Sequence, residues 1–65
     1  MKKLGERLKK ERNNMGLTQN LVADLLGIER SRYAKYECGS SEPPLDVLYK
    51  ISFVYRVSAD ELIRP

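Results

Sequence analysis

A group of basic and small side chains near the middle of the chain has the chemistry of nucleic-acid recognition. If Tyr33 and Tyr36 point inward from an α-helix that turns about 100° per residue, the opposite face is centred on Ser31. That face carries three cations and two small residues: Arg30, Ser31, Arg32, Ala34 and Lys35. Arginine and lysine bond to O6 and N7 of guanine and also hold phosphates, while alanine admits close approach to a thymine methyl. We predict a DNA-reading face. A solvated basic helix face is the alternative.

Two short helices joined by a glycine must position this face. Thr18 can cap a helix that begins at Gln19, and Gly27 can end it because glycine adopts a positive φ without strain. A second helix is predicted over about residues 29–38, with Gly39 as its stop. The pair forms a helix-turn-helix, whose second helix can enter the major groove of DNA.

The rest of the sequence predicts three further helices and no strand. Hydrophobic spacing places them at residues 1–14, about 44–55 and 59–63, and Ser58 can cap the last one as part of a capping box. The predicted fold class is all-α, a single compact five-helix domain that spans all 65 residues. The predicted core is Leu4, Leu8, Leu17, Val22, Leu26, Ile28, Tyr33, Tyr36, Leu45, Leu48, Ile51, Tyr55, Val57 and Leu62.

The composition argues against several kinds of chemistry. One cysteine and no histidine leave no internal disulfide, no expected protein-only metal site and no histidine-dependent catalytic pair. We predict neither enzyme activity nor a cofactor, and an inert Cys38 thiol. No apolar run approaches the roughly 20 residues of a membrane span, so a cytoplasmic protein is expected. Residues 1–35 hold nine Lys or Arg and four Asp or Glu, whereas residues 36–65 hold three and five. This asymmetry fits a polyanion on one side.

The stretch GLTQNLVADLLGIERSRYAKYECG, residues 16–39, resembles the helix-turn-helix of the Cro and phage-repressor type of bacterial transcriptional regulators, the XRE-like family. Later residues continue the match: Pro43, Leu45, Leu48, Ile51, Val57, Ser58, Asp60, Glu61 and Leu62. The resemblance implies a lambda-repressor-like fold and a homodimer that binds double-stranded DNA at a near-palindromic operator. It also implies gene regulation, usually repression.

The resemblance assigns roles by position. Three residues occupy base-reading places and a fourth a place of base or backbone contact: Arg30, Ser31 and Lys35, and Arg32. Four others are expected to contact the DNA backbone: Gln19, for which an outer base is the alternative, and Thr18, Ser40 and Ser41. Arg12 and Glu37 match a salt bridge of the family between the first and third helices, so we assign them to structure rather than to DNA reading.

Three departures from the family pattern bear on binding. Glu29 stands where a Ser or Thr cap is usual, and it brings negative charge near the phosphates. The loop before Pro43 is Ser-Ser-Glu (residues 40–42) rather than basic, which should weaken binding and its salt dependence. Arg56 replaces a common glycine, so the fourth helix should end with strain or run on.

Apolar residues outside the predicted core suggest contacts with other chains. We predict a two-fold dimer interface beside the last helix, formed by Val54, Val57, Ile63 and Phe53, with Val47 on the flank of Phe53. Leu21 and Leu25 face away from the core, i, i+4 apart, and could receive a second protein. The alternative function is therefore a protein-interaction adaptor, antitoxin-like or an anti-repressor, that uses Leu21, Leu25 and Phe53.

Overall fold

A computed structural model describes residues 2–64, which form five helices and no strand. The helices are α1 (Lys2–Asn14), α2 (Gln19–Leu26), α3 (Arg30–Cys38), α4 (Leu45–Tyr55) and α5 (Ala59–Ile63). The predicted all-α class and the number of helices are confirmed, and each described boundary agrees within one residue. The predicted helical residue Met1 lies outside the described residues. None of the helices within residues 2–64 is long and apolar enough to cross a membrane.

Local hydrogen bonds explain where the helices begin. The Thr18 hydroxyl accepts a hydrogen bond from the Leu21 N–H at 3.1 Å, and the Ser58 hydroxyl accepts one from the Glu61 N–H at 3.0 Å. Glu29 precedes α3 in an extended conformation, and within the described chain its side chain makes no capping bond. Two of these starts therefore have hydroxyl caps, whereas α3 begins without one.

The ends of α2 and α4 use the left-handed conformation. Gly27 ends α2 at φ 74°, where a glycine is unstrained. Arg56 ends α4 at φ 56° and ψ 38°, and among residues 2–64 it is the only non-glycine residue with positive φ. The strained end of α4 that the sequence predicted is thus confirmed, and the helix does not run on.

The core is a single cluster of apolar side chains. Its members are Leu4, Leu8, Val22, Ala23, Leu26, Tyr33, Tyr36, Val47, Leu48, Ile51, Tyr55 and Leu62. Three predicted core residues, Leu17, Ile28 and Val57, are only partly buried and pack against its edge.

Two predictions on α4 are wrong. Leu45 is 64% exposed and does not belong to the core, whereas Val47 is 6% exposed and does. The reason is which residues share the buried face of α4. Val47 lies one turn before Ile51, which is fully buried, but Leu45 lies one turn before Tyr49, which is exposed.

α3 is held against both α1 and α2, and a glycine permits the first of these contacts. A Cβ added at Gly5 would lie 2.3 Å from the Glu37 carbonyl oxygen and 2.7 Å from that of Tyr36. The backbones of α1 and α3 therefore approach so closely that only glycine fits at residue 5.

Two further hydrogen bonds connect α4 to α3 and α5 to α1. The buried hydroxyls of Tyr33 and Tyr55 form a hydrogen bond of 2.5 Å between α3 and α4. Burial and this hydrogen bond raise the pKa of Tyr33, and burial raises the pKa of Tyr55 to about 12. Arg7 of α1 donates to the Glu61 carbonyl oxygen at 2.8 Å, which satisfies a carbonyl of α5.

Candidate nucleic-acid interface

The turn between α2 and α3 fixes the two helices relative to each other. The Gly27 N–H donates to the Asp24 carbonyl at 3.1 Å, and the Ile28 N–H donates to the Ala23 carbonyl at 3.0 Å. These bonds close the end of α2, while Ile28 packs against the core. The geometry is that of the predicted helix-turn-helix, with α3 as its second helix.

The outward face of α3 presents the predicted cations. Tyr33 and Tyr36 are buried, as the sequence analysis requires. The side chains on the other side are exposed: Arg30, Ser31, Arg32 and Lys35, with Ala34 half-buried beside them. Three cations therefore project from one helix around small residues, in the arrangement suited to the edges of bases in a major groove.

One of these cations is restrained by its own helix. The Arg32 Nε donates to the Tyr36 hydroxyl at 3.0 Å, one turn further along α3. This bond holds the guanidinium on the side of the helix nearest Tyr36. Arg32 is thus oriented before any contact with DNA, an interaction that the sequence analysis did not identify.

Beneath this face, Arg12 and Glu37 form the predicted salt bridge. The Arg12 Nε donates to Glu37 Oε2 at 2.7 Å and Nη2 donates to Oε1 at 3.2 Å, while Nη1 donates to the Leu17 carbonyl at 2.9 Å. Burial raises the pKa of the Glu37 carboxyl, but hydrogen bonds from Arg12, Gln19 and Tyr33 outweigh it and hold the pKa below its usual range. The pair connects α1, the start of α2 and α3.

Gln19 joins the same network instead of standing free at the start of α2. Its Nε2 donates to Glu37 Oε1 at 3.0 Å. The bond fixes the side chain at the edge of a small depression whose other walls are Lys9, Ala34, Glu37 and Cys38. The expected contact of Gln19 with a phosphate stays a prediction, with the amide already oriented by Glu37.

Lys9 is a residue of this region that the sequence analysis missed. It borders the depression shared with Gln19 and Ala34, and its side chain is exposed. Its position could have indicated this, since Lys9 lies four residues after Gly5 and three before Arg12, and both of those α1 residues contact α3.

The loop after α3 places Ser40 and Ser41 at the C-terminal end of the exposed face of α3. Both backbone N–H groups donate to the Lys35 carbonyl, at 3.1 and 3.3 Å, and both side chains are exposed. The Ser40 hydroxyl lies 3.0 Å from the sulfur of Cys38, and this hydrogen bond holds the pKa of the thiol below its usual range. Cys38 is itself the last residue of α3 and is exposed.

Some of the apolar residues proposed for contacts with other chains are exposed, and others are partly buried. Phe53 is 82% exposed and Ile63 is also exposed, whereas Val54 and Val57 are partly buried against the molecule's own core. On α2, Leu21 is 45% and Leu25 59% exposed. Within residues 2–64, no cluster of His, Cys, Asp and Glu side chains could hold a metal ion.

The fold and the outward cations of α3 define a helix-turn-helix DNA-binding domain, and comparison with known proteins specifies its family. The sequence pattern of the helix-turn-helix family matches residues 8–62. The chain belongs to this family, the Cro and phage-repressor (XRE-like) type, whose members are DNA-binding transcriptional regulators and not enzymes.

Named relatives support this assignment. The chain is 50% identical over 60 residues to the SPbeta prophage-derived HTH-type transcriptional regulator YonR of Bacillus subtilis, across 92% of this chain and 56% of that protein. It is 40% identical over 60 residues to the cryptic phage CTXphi transcriptional repressor RstR of Vibrio cholerae, across 92% of this chain and 54% of that protein.

A third relative is the HTH-type transcriptional regulator ImmR of Bacillus subtilis, 40% identical over 60 residues, across 92% of this chain and 47% of that protein. The chain thus spans about half the length of the curated relatives it matches. No solved structure matches it.

Proposed function

We propose that this chain is a sequence-specific transcriptional repressor that binds a near-palindromic operator as a homodimer, with α3 in the major groove. The observation that carries the proposal is the exposed face of Arg30, Ser31 and Lys35 on the second helix of a helix-turn-helix. A cytoplasmic location, where such a regulator would meet its operator, is part of the proposal. The repressor role rests on the name of one relative, the transcriptional repressor RstR.

The side chains divide into base readers and backbone contacts. Arg30 and Lys35 carry donors suited to guanine O6 and N7, and Ser31 between them can bond to either kind of base edge. Arg32, held by Tyr36, is a fourth contact on the flank. The backbone contacts are Thr18, Gln19, Ser40 and Ser41, through the three hydroxyls and the Gln19 amide.

Dimerisation would use the apolar surface beside the last helix, α5. Phe53 and Ile63 offer exposed apolar surface beside α5, and Val54 and Val57 extend it at the edge of the core. Two copies must then present their α3 helices about 34 Å apart to reach successive major grooves. Sedimentation that shows one copy per operator would refute the homodimer.

A second candidate function is a protein-interaction adaptor on the same fold. It is favoured by the exposed pair Leu21 and Leu25, one turn apart on the outer side of α2. In that case the cations of α3 would be dispensable and the leucines would be required.

The test is selection of bound sequences from random duplex DNA, followed by salt titrations on the selected and a scrambled duplex. We expect a near-palindrome with half-sites one helical turn apart. Changing Arg30 and Lys35 together to Ala should abolish selection. The matched control changes Lys10 and Lys50 together to Ala, which removes the same charge from exposed positions on α1 and α4 and should leave the selected sequence unchanged.

Two outcomes would contradict the proposal. Equal loss in both double variants would mean that net charge, rather than the face of α3, accounts for binding. No enriched sequence with the unaltered protein would favour the adaptor, and changing Leu21 and Leu25 to Ser would then be expected to abolish partner binding.

A further inference from the structure

The first turn of α3 is preceded by a carboxylate that takes no part in capping the helix. Glu29 occupies the position before Arg30 in an extended conformation, and in the described chain its side chain accepts no bond from the α3 backbone. Its side chain is exposed. Thr18 and Ser58 occupy the equivalent positions before α2 and α5, and each hydroxyl does accept such a bond. Glu29 therefore has an acceptor group available for another partner.

The backbone fixes where this carboxylate can reach. The Glu29 carbonyl accepts hydrogen bonds from the N–H groups of Arg32 and Tyr33, both at 3.1 Å, so the residue is anchored to the first turn of α3. In a helix-turn-helix, the first residues of the second helix are the ones that contact base edges. A side chain anchored there belongs to the residue directly before Arg30, at the end of the helix that enters the groove.

A carboxylate in that place has a restricted choice of partners. It can only accept hydrogen bonds, and among the groups that bases expose in the major groove the donors are the amino groups of cytosine and adenine. Guanine presents N7 and O6 and thymine presents O4, all acceptors that would repel it. Cytosine offers its amino group without a neighbouring acceptor on the same base, and carboxylate side chains typically accept from it.

We propose that Glu29 is a specificity-determining residue that selects cytosine at one position in each half-site. The inference rests on the proposed function and extends it, because it gives the Glu29 carboxylate a partner on a base. It also accounts for a residue that neither caps α3 nor adds to the attraction for DNA. Selectivity against the other bases offsets both disadvantages.

The experiment compares selected sequences for the unaltered chain, Glu29→Gln and Glu29→Ala. We expect cytosine at one position per half-site for the unaltered chain, at about five- to tenfold preference in competition binding. Glu29→Gln keeps the shape but replaces one acceptor with a donor, so the preference at that position should move to adenine, whose N6 and N7 match an amide. Glu29→Ala should leave no preference there, with the other positions unchanged.

Glu6→Gln is the matched control, because it removes one negative charge from an exposed position on α1. It should leave every preference unchanged. An identical selected sequence for all three forms at residue 29 would overturn the proposal. So would a uniform rise in affinity for every duplex in Glu29→Gln, since that would make Glu29 a source of repulsion only. If the unaltered chain enriches no sequence, the proposed function itself fails, which distinguishes the two failures.

Discussion

The Arg12 Nε lies 2.7 Å from Glu37 Oε2, and this pair connects the first helix to α3, the helix that carries the proposed DNA-reading face. The carboxyl is nearly buried and also receives the Gln19 amide. A buried pair of this kind adds little when complete, but the loss of one partner leaves an uncompensated charge. The position of α3 therefore depends on a charge balance set by residues 25 positions apart in the sequence.

Replacing Glu37 with Gln should lower the free energy of unfolding by about 3 kcal/mol or more, because Arg12 remains charged and partly buried. Urea denaturation measures this change. Glu6→Gln, at an exposed position, should change stability by less than about 0.5 kcal/mol. Similar stability in both variants would contradict the structural role assigned to the pair.

The same carboxyl makes stability depend on acid pH. Its pKa is lower in the folded chain than its ordinary value of 4.5, so its contribution is complete above that value. The contribution is lost as the pH falls through the lower folded pKa, where the folded carboxylate takes up its proton. Denaturation curves measured from neutral to acid pH should show this loss in the unaltered chain, and a smaller one in Glu37→Gln. Parallel curves would contradict the prediction.

Changing Gly5 to Ala should destabilise the fold even though alanine is the better helix former by about 1 kcal/mol. The added Cβ would lie 2.3 Å from the Glu37 carbonyl oxygen, a backbone atom that can move only if α1 and α3 separate. We expect a net loss of about 1 to 3 kcal/mol in thermal or urea unfolding. Glu6→Ala, on the next and exposed residue of α1, is the control. A rise in stability for Gly5→Ala would contradict the close approach.

The sequence predicted the local features of the fold and missed those that depend on how the helices pack. Thr18, Gly27 and Ser58 act on neighbouring backbone atoms, so their roles follow from sequence spacing alone. The positions of Tyr33 and Tyr36 also predicted which face of α3 is buried. By contrast, the requirement for glycine at residue 5 depends on the distance to α3, which no local pattern encodes.

The same distinction explains the errors on α4 and at Lys9. Leu45 and Val47 fit the hydrophobic spacing of the helix almost equally well. Which of them lies in the core depends on how α4 is rotated against its neighbours. From the sequence alone, Lys9 is one of several cations on α1, and only the packing of α3 beside α1 distinguishes it. Its proximity to Gln19 and Ala34 is therefore a property of tertiary structure.

The buried tyrosine pair should make the protein sensitive to alkali. Tyr33 and Tyr55 both have raised pKa values, that of Tyr55 to about 12, so the folded state favours their protonated forms. Their contribution is complete below the unfolded value of about 10 and is lost as the pH rises toward the folded values. Tyrosinate absorbance and circular dichroism in an alkaline titration should show ionisation of both residues together with unfolding. Ionisation of all four tyrosines near pH 10 without unfolding would contradict this.

Replacing Arg56 with Gly should stabilise the chain, because this residue ends α4 in the left-handed region at φ 56°. The strain removed is about 1 kcal/mol, less some of the entropy that glycine gains in the unfolded state. Lys50→Gly is the opposite control, since the same substitution at an exposed position within α4 should cost about 1 kcal/mol. Thermal unfolding of both variants tests the prediction, and a loss in Arg56→Gly would show that the arginine side chain contributes more than its backbone costs.

Lys9 should contribute an electrostatic contact with the DNA backbone that does not depend on sequence. Its exposed side chain borders the depression that also contains Gln19 and Ala34, next to the face of α3. Lys9→Ala should weaken binding to selected and scrambled duplexes by the same factor and reduce the log–log salt slope by about 0.9 for each copy bound. Lys3→Ala, at another exposed position on α1, should leave the slope almost unchanged. If both variants reduce the slope equally, the effect of Lys9 is one of net charge, whereas a changed base preference would place its ammonium group on a base edge rather than on a phosphate.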